Sequence, residues 1–235
     1  MKQVRRALDR AAVRACRFLV ANSRFTADRL AALYGRPADA LAYPGVDLSL
    51  YTPGEGADYA VSVGRLSPEK GLDSLLIAWR AIPDVPLLLV GDGDLAYVQR
   101  LRALAPPNVR FAGALPPDAV AGILQRAAFA VIAAEAEEFG IAPLEAMAAA
   151  LPVLGLRGGA LPELVAHNET GLLVHSVEAI AIESRRLWYD RAERGRLGTA
   201  GRERAANFAW ENTVRAIEAV CLRLADMPLT LKRTS

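Results

Sequence analysis

"YAVSVGRLSPEKG", residues 59–71, decides how the chain folds. Its first five residues are an apolar, partly β-branched run of the length of a short strand. Gly64 then allows a tight turn, and a helical pattern follows over residues 70–81. A strand that feeds a helix is one unit of an α/β fold, and the unit recurs. Further strand candidates are "PLLLV" (86–90), "NVRFA" (108–112), "FAVIA" (129–133), "PVLGL" (152–156) and "GLLV" (171–174). "RFLVA" (17–21) and "ALAYP" (40–44) precede them, and helical stretches at 94–104, 117–127 and 140–150 lie between. Nearly all-apolar strands alternating with helices predict an α/β fold on a parallel sheet covered on both faces. Ligands of such sheets sit beyond the carboxyl ends of the strands, so the loops after Val63, Val90, Phe111 and Ala133 carry the interest.

The chain has 235 residues, 53% of them hydrophobic, enough for a large core built mostly of Ala, Leu and Val. Its net charge of +2 argues against a dedicated nucleic-acid binder. The charge is uneven: residues 1–36 hold nine Lys and Arg against Asp9 and Asp28. Cys16 and Cys221 stand at opposite ends without metal-ligand spacing, and no disulfide is expected between them; His167 and His175 are the only histidines. A metal centre or a Ser-His-Asp triad is poorly supplied, and a reducing compartment is the default. No signal peptide or membrane-spanning run is visible, so a cytoplasmic location is expected. The Pro- and Gly-rich stretch 46–58 reads as a domain linker. The segment 208–225 reads as an amphipathic helix whose Trp210, Val214, Ile217, Val220, Cys221 and Leu224 share a face, with a frayed tail after it.

Chemistry concentrates in two loops. In "VSVGRLSPEKG" (61–71), Arg65 and Lys70 place two cations beside a helix start, an anion site that suits a diphosphate; the alternative is two solvated basic residues. In "EAEEFGIAPLEAMAAALPV" (135–153), Glu137 precedes and Glu145 lies about one turn inside a helix that begins near Gly140, with Pro143 in its first turn. The free amides of Phe139, Gly140 and Ile141 point out of that start, and carboxylates on either side suit vicinal hydroxyls, which only donate to them. The alternative makes Glu137 or Glu138 a helix-terminus charge and leaves Glu145 solvated. Asp92 and Asp94 in "LLLVGDGDLAY" (87–97) read as turn chemistry, with Asp94 capping the next helix.

"VGRLSPEKG", "VGDGD", "VRFAGALPPDAV", "EEFGIAPLEAMAAALPV" and "GGALPELVAHNETGLLV" together resemble, in order, the donor-binding half of the family 4 retaining glycosyltransferases. The resemblance extends from about Ala21 to Leu224. It implies a Rossmann-like, doubly wound sheet, one half of a GT-B fold, with a partial second domain. Residues 1–47 would be the remnant of the acceptor-side domain, 48–207 the donor domain and 208–235 the crossover helix and tail. It further implies a nucleotide-diphosphate sugar as donor, no metal, and retention of anomeric configuration. Arg65 and Lys70 would grip the diphosphate beside Gly64, and Glu137 would bind hexose hydroxyls. The amides of Phe139, Gly140 and Ile141 would lie near phosphate and sugar, Glu145 would hold the ribose, and the backbone around Val109 and Arg110 would contact the base. Three departures stand out: Ala133-Ala134 replace the family's usual Pro-Ser, Ala150 its glycine, and Phe129 a frequent aspartate.

The resemblance starts just before the final strand of the first domain, so the acceptor site and the functional histidine of that domain are expected elsewhere. A second chain or self-association would then cover the exposed surface. The basic N-terminal helix suits peripheral contact with anionic lipid, or is a solvated face. Two other functions remain open from the sequence. One is a nucleotide-sugar binding module without turnover of its own. The other is a glycosidase using Glu137 and Glu145 as its carboxylate pair, which leaves Arg65 and Lys70 without a purpose.

Overall fold

The computed structural model describes residues 2–54, 56 and 58–226. Helix α1 (Lys2–Ala15), exposed over most of residues 6–15, leads to β1 (Val20–Ala21), α2 (Arg24–Tyr34) and β2 (Ala40–Leu41), and β1 and β2 pair in parallel. After a 3-10 turn (Leu48–Leu50) the main sheet begins. Its strands are β3 (Ala60–Val63), β4 (Leu87–Val90), β5 (Val109–Gly113), β6 (Phe129–Ile132), β7 (Val153–Leu156) and β8 (Gly171–Val174). Between them run α3 (Leu72–Trp79), α4 (Leu95–Leu104), α5 (Pro117–Arg126), α6 (Ile141–Ala148) and the single turn α7 (Leu161–Leu164). α8 (Val177–Tyr189), α9 (Arg191–Ala205) and α10 (Trp210–Ala225) close the described chain.

All six main strands are parallel, in the order β5-β4-β3-β6-β7-β8. The chain builds outward from β3 to β5, crosses back to β6, and builds outward the other way. The reversal lies between β3 and β6, and crevices open at such points. Strand alternation supplies both faces of the core. Ala60, Leu87, Leu89, Phe129, Val131 and Leu154 meet Trp79, Leu75, Leu101 and Ile180 from α3, α4 and α8. Val61, Val90, Ala130, Ile132 and Val153 meet Leu124, Leu144, Met147 and Leu161 from α5, α6 and α7. Phe129, at the position of a frequent aspartate, is fully buried in the first of these layers.

Two sequence expectations change. The first two strands shrink to two residues each, and they pair with each other. The stretch read as a domain linker is packed at several of its described residues: Val46 and Tyr51 are buried in the second core layer, and Gly54 and Gly56 pass so close to the backbone of Gln125 and Arg126 that neither position has room for a Cβ. On α10 the apolar stripe is displaced. Val214 and Ile217 are 53% and 40% exposed, Trp210 and Cys221 are exposed too, and the inward face runs through Thr213, Ala216, Val220 and Leu224. Cys16 and Cys221 are both free. Asp94 does cap α4, accepting the Tyr97 amide at 3.2 Å. The tail beyond Asp226 lies outside the described residues. No described helix is long and apolar enough to cross a membrane.

α6 ends in a Schellman motif, with Leu151 N donating to Ala146 O and Ala150 N to Met147 O, both at 2.9 Å. The motif needs a left-handed residue, and Ala150 takes it at φ 58°. A Cβ makes that conformation costly by about 1 kcal/mol or more. Ala150→Gly is therefore expected to stabilise the fold by about 0.5–1 kcal/mol after the entropy of glycine is counted, raising Tm by about 1–4 °C in thermal denaturation.

Candidate functional site

The loops that leave β3 and β6 form the two walls of a cleft of about 500 Å³. Gly64, Arg65 and Lys70 line one wall, and Glu137, Phe139, Gly140, Ile141 and Glu145 the other. Asn22 and Pro44, from the N-terminal segment, border it as well. Eight of the nine residues expected at the site thus come together. Arg110 does not: it is the second residue of β5, exposed opposite Leu88, near the end of the strand away from the cleft.

Local sequence explains each wall. After β3, Pro68–Lys70 form a 3-10 turn that ends at Gly71, whose φ is 67°. A Cβ at Gly71 would stand 2.4 Å from Ala133 O, so glycine lets this loop press against the end of β6. That contact carries Lys70 across the cleft, where its Nζ donates to Glu137 Oε2 at 2.7 Å. Arg65 remains exposed at the mouth. On the other wall, Gly140 sits at the start of α6 with φ 95°, and a Cβ there would crowd Pro143 and Glu137. Pro143 needs no N–H in the first turn. The Phe139 ring turns inward, 3% exposed, against Tyr43 and Phe208 at centroid distances of 5.8 and 6.2 Å. Only the backbone of Phe139 is thus free to serve a ligand.

Several supporting residues carry no signal in the sequence reading. Ala160 N donates to Glu137 O at 2.7 Å, anchoring the backbone beneath that carboxylate. The buried Ser23 caps α2 through Thr26 N, and its hydroxyl donates to Glu138 O. Glu163 of α7 accepts the amides of Arg24 and Phe25, both at 2.9 Å, and the Tyr43 hydroxyl at 2.6 Å. Burial and then this carboxylate push the Tyr43 pKa up to about 12, so it stays a donor. Tyr51 donates its hydroxyl to Glu145 Oε1 at 2.8 Å. These bonds join residues far apart in the chain, which local pattern does not reveal. Among the described residues, no three His, Cys, Asp or Glu side chains gather as a metal site would require.

Burial raises the Glu145 pKa, and the Tyr51 hydrogen bond opposes the rise. A carboxyl whose folded pKa exceeds its unfolded value binds more protons when folded. Its penalty is therefore absent below the unfolded pKa and grows as pH rises through the folded one. Glu145→Gln, which keeps an acceptor for Tyr51, is expected to raise Tm at about pH 7, with the gain shrinking towards about pH 4. Melting curves at the two pH values check this.

Comparison with known proteins gives concordant results. The family described as "Glycosyl transferases group 1" matches residues 51–204. A D-inositol 3-phosphate glycosyltransferase of Segniliparus rotundus is 31% identical over 230 residues, covering 86% of this chain and 51% of that protein. A GDP-mannose-dependent alpha-(1-6)-phosphatidylinositol monomannoside mannosyltransferase of Mycobacterium tuberculosis is 33% identical over 223 residues, covering 80% and 57%. The chain spans about half the length of the curated relatives it matches. Among solved structures, sucrose-phosphate synthase of Thermosynechococcus elongatus superposes with a TM-score of 0.86 at 27% identity, over 95% of this chain and 62% of that one. An Anabaena protein solved with UDP-glucose shares the fold, with a TM-score of 0.82 at 21% identity over 97% and 69%.

Proposed function

This chain belongs to the glycosyl transferase group 1 family, and from that premise we propose that its cleft binds a nucleoside-diphosphate sugar. The activity it serves is transfer of a hexose to an acceptor with retention of anomeric configuration, as in the family 4 enzymes it resembles. The observation that carries this reading is the meeting of two cations, one helix start and two carboxylates in a single cleft at the reversal of strand order. Each element matches one part of such a donor.

Arg65 and Lys70 face the diphosphate, with the amides of Phe139, Gly140 and Ile141 completing the anion site. Glu137 accepts hydrogen bonds from hexose hydroxyls and Glu145 from the ribose. In the reaction the bond from the anomeric carbon to the distal phosphate oxygen breaks and one to the acceptor oxygen forms. The acceptor's hydroxyl proton leaves with the nucleoside diphosphate or to solvent. Negative charge grows on the departing phosphate, and preorganised cations there act where the charge develops. This assigns charge neutralisation to side chains and the helix start rather than to a metal ion. The GDP-mannose dependence of the mycobacterial relative supports a nucleotide sugar.

A second reading is a donor-binding module that needs another polypeptide for turnover. It is favoured by the half-length coverage of the relatives. Both readings demand nucleotide binding, which calorimetric titration with UDP, GDP and ADP measures. One of the three is expected to bind saturably, and Arg65→Ala or Lys70→Ala to weaken it by about tenfold or more. No binding by any of them to folded chain would sink both readings. Transfer to any acceptor, measured on the chain alone, separates the two.

A further inference from the structure

Among the described residues, the hydroxyl of Tyr51 has one partner, Glu145. The Tyr51 ring is 7% exposed within the second core layer, a position that phenylalanine would fill equally well by packing alone. We infer that Tyr51, anchored by Arg202, is a positioning residue that fixes Glu145 to receive the ribose hydroxyls of a nucleotide. The inference rests on the proposed reading of the cleft as a nucleoside-diphosphate site.

The anchor is specific. Arg202 of α9 donates through Nη1 to Tyr51 O at 2.8 Å and to Ala148 O, and through Nη2 to Leu48 O at 3.3 Å. One guanidinium thus ties both ends of the 3-10 turn to the last turn of α6. Asp47 stiffens that turn from its other side, accepting the Ser49 amide at 2.9 Å and its hydroxyl at 2.7 Å. Ala148 lies three residues, about one helical turn, beyond Glu145. The height of the Tyr51 hydroxyl along α6 is therefore set against the backbone that carries Glu145. A glutamate side chain is otherwise free to rotate, and that freedom would be lost on binding. The Tyr51 bond orders it beforehand and uses one oxygen only. Glu145 Oε2 keeps its acceptor capacity for a ligand. The bond also favours the charged carboxylate against burial, which pushes the other way.

The test compares wild type, Tyr51→Phe, Glu145→Gln and the double variant by calorimetry. The probes are inorganic pyrophosphate, UDP, GDP and ADP, and the counterparts of these nucleotides that lack both ribose hydroxyls. Tyr51→Phe is expected to leave pyrophosphate affinity unchanged and to lower the preference for ribose over its dehydroxylated form by about tenfold. The double variant is expected to lose no more preference than Glu145→Gln, since the tyrosine acts through the glutamate. Wild-type preference retained in Tyr51→Phe overturns the inference. So does an equal loss for all probes, which would mark Tyr51 as structural only. Absence of nucleotide and pyrophosphate binding in wild type instead overturns the donor-site reading, and the inference with it.

Discussion

β3 and β6 pair at Ala60 with Phe129 and at Val61 with Ala130, and no further. β3 pairs with β4 along its whole length, and β6 holds β7 through three positions. The centre of the sheet is thus the place where the ladder stops early, and beyond Val61 and Ala130 the two strands part. Everything in the cleft depends on that parting, because the strand order reverses there and, among the described residues, no third strand fills the gap. The loops that follow these strands end up facing each other, one bringing Arg65 and Lys70, the other Glu137 and the start of α6. Gly71 against Ala133 O sets how closely they approach, and the Lys70–Glu137 ion pair spans what is left.

A loop such as 135–140 has backbone groups that a helix or sheet would otherwise satisfy, and buried groups left unpaired are costly. Here they are met from a distance. Ala160 serves Glu137 O, and Ser23 and Thr26 serve Glu138 O. Glu163 of α7 in turn holds the first amides of α2, so a charged acceptor also clamps the N-terminal segment to the turn that follows β7. Hydrogen bonds to charged groups are worth about 1.5–3 kcal/mol each, more than neutral ones. The N-terminal segment therefore does more than precede the sheet. It fixes the backbone at Glu138, next to the carboxylate of Glu137.

Much of this was legible in the sequence where local pattern determines the outcome. Each main strand lies within a residue of its apolar run, because a strand buried on both faces has little choice of composition. The helix start after Gly140 was readable because Gly140 and Pro143 mark it. Reading failed where the answer depends on what lies opposite. Val214 and Ile217 belong to a plausible helical stripe, yet the surface that α10 meets selects Thr213 and Ala216 in their place and keeps Val220. The Pro- and Gly-rich composition of 46–58 does not reveal that Gly54 and Gly56 lie tight against the backbone of Gln125 and Arg126. Tyr51 and Glu145 are 94 residues apart, and nothing short-range announces their bond. The conspicuous residues Arg65, Lys70, Glu137 and Glu145 were visible as chemistry, whereas the groups that aim them were not.

The two carboxylates are aimed by different donors, and the difference bears on what each can do. Glu137 takes its hydrogen bond from Lys70, an ammonium with three N–H groups. That cation can hold a carboxylate and a phosphate oxygen together, so for the proposed donor Lys70 would join the sugar's acceptor to the leaving group's counter-charge. Displacing it would move both. Glu145 takes its bond from a neutral phenol with a single proton, whose pKa is raised by burial and by the carboxylate itself. This donor brings no charge to compete with a ligand and has no second proton to offer one. It restricts the carboxylate without neutralising it. A charged partner thus stands where the proposed chemistry develops charge, and a neutral one where the ligand only has to be recognised. In both cases the partner occupies one oxygen of the carboxylate and leaves the other able to accept.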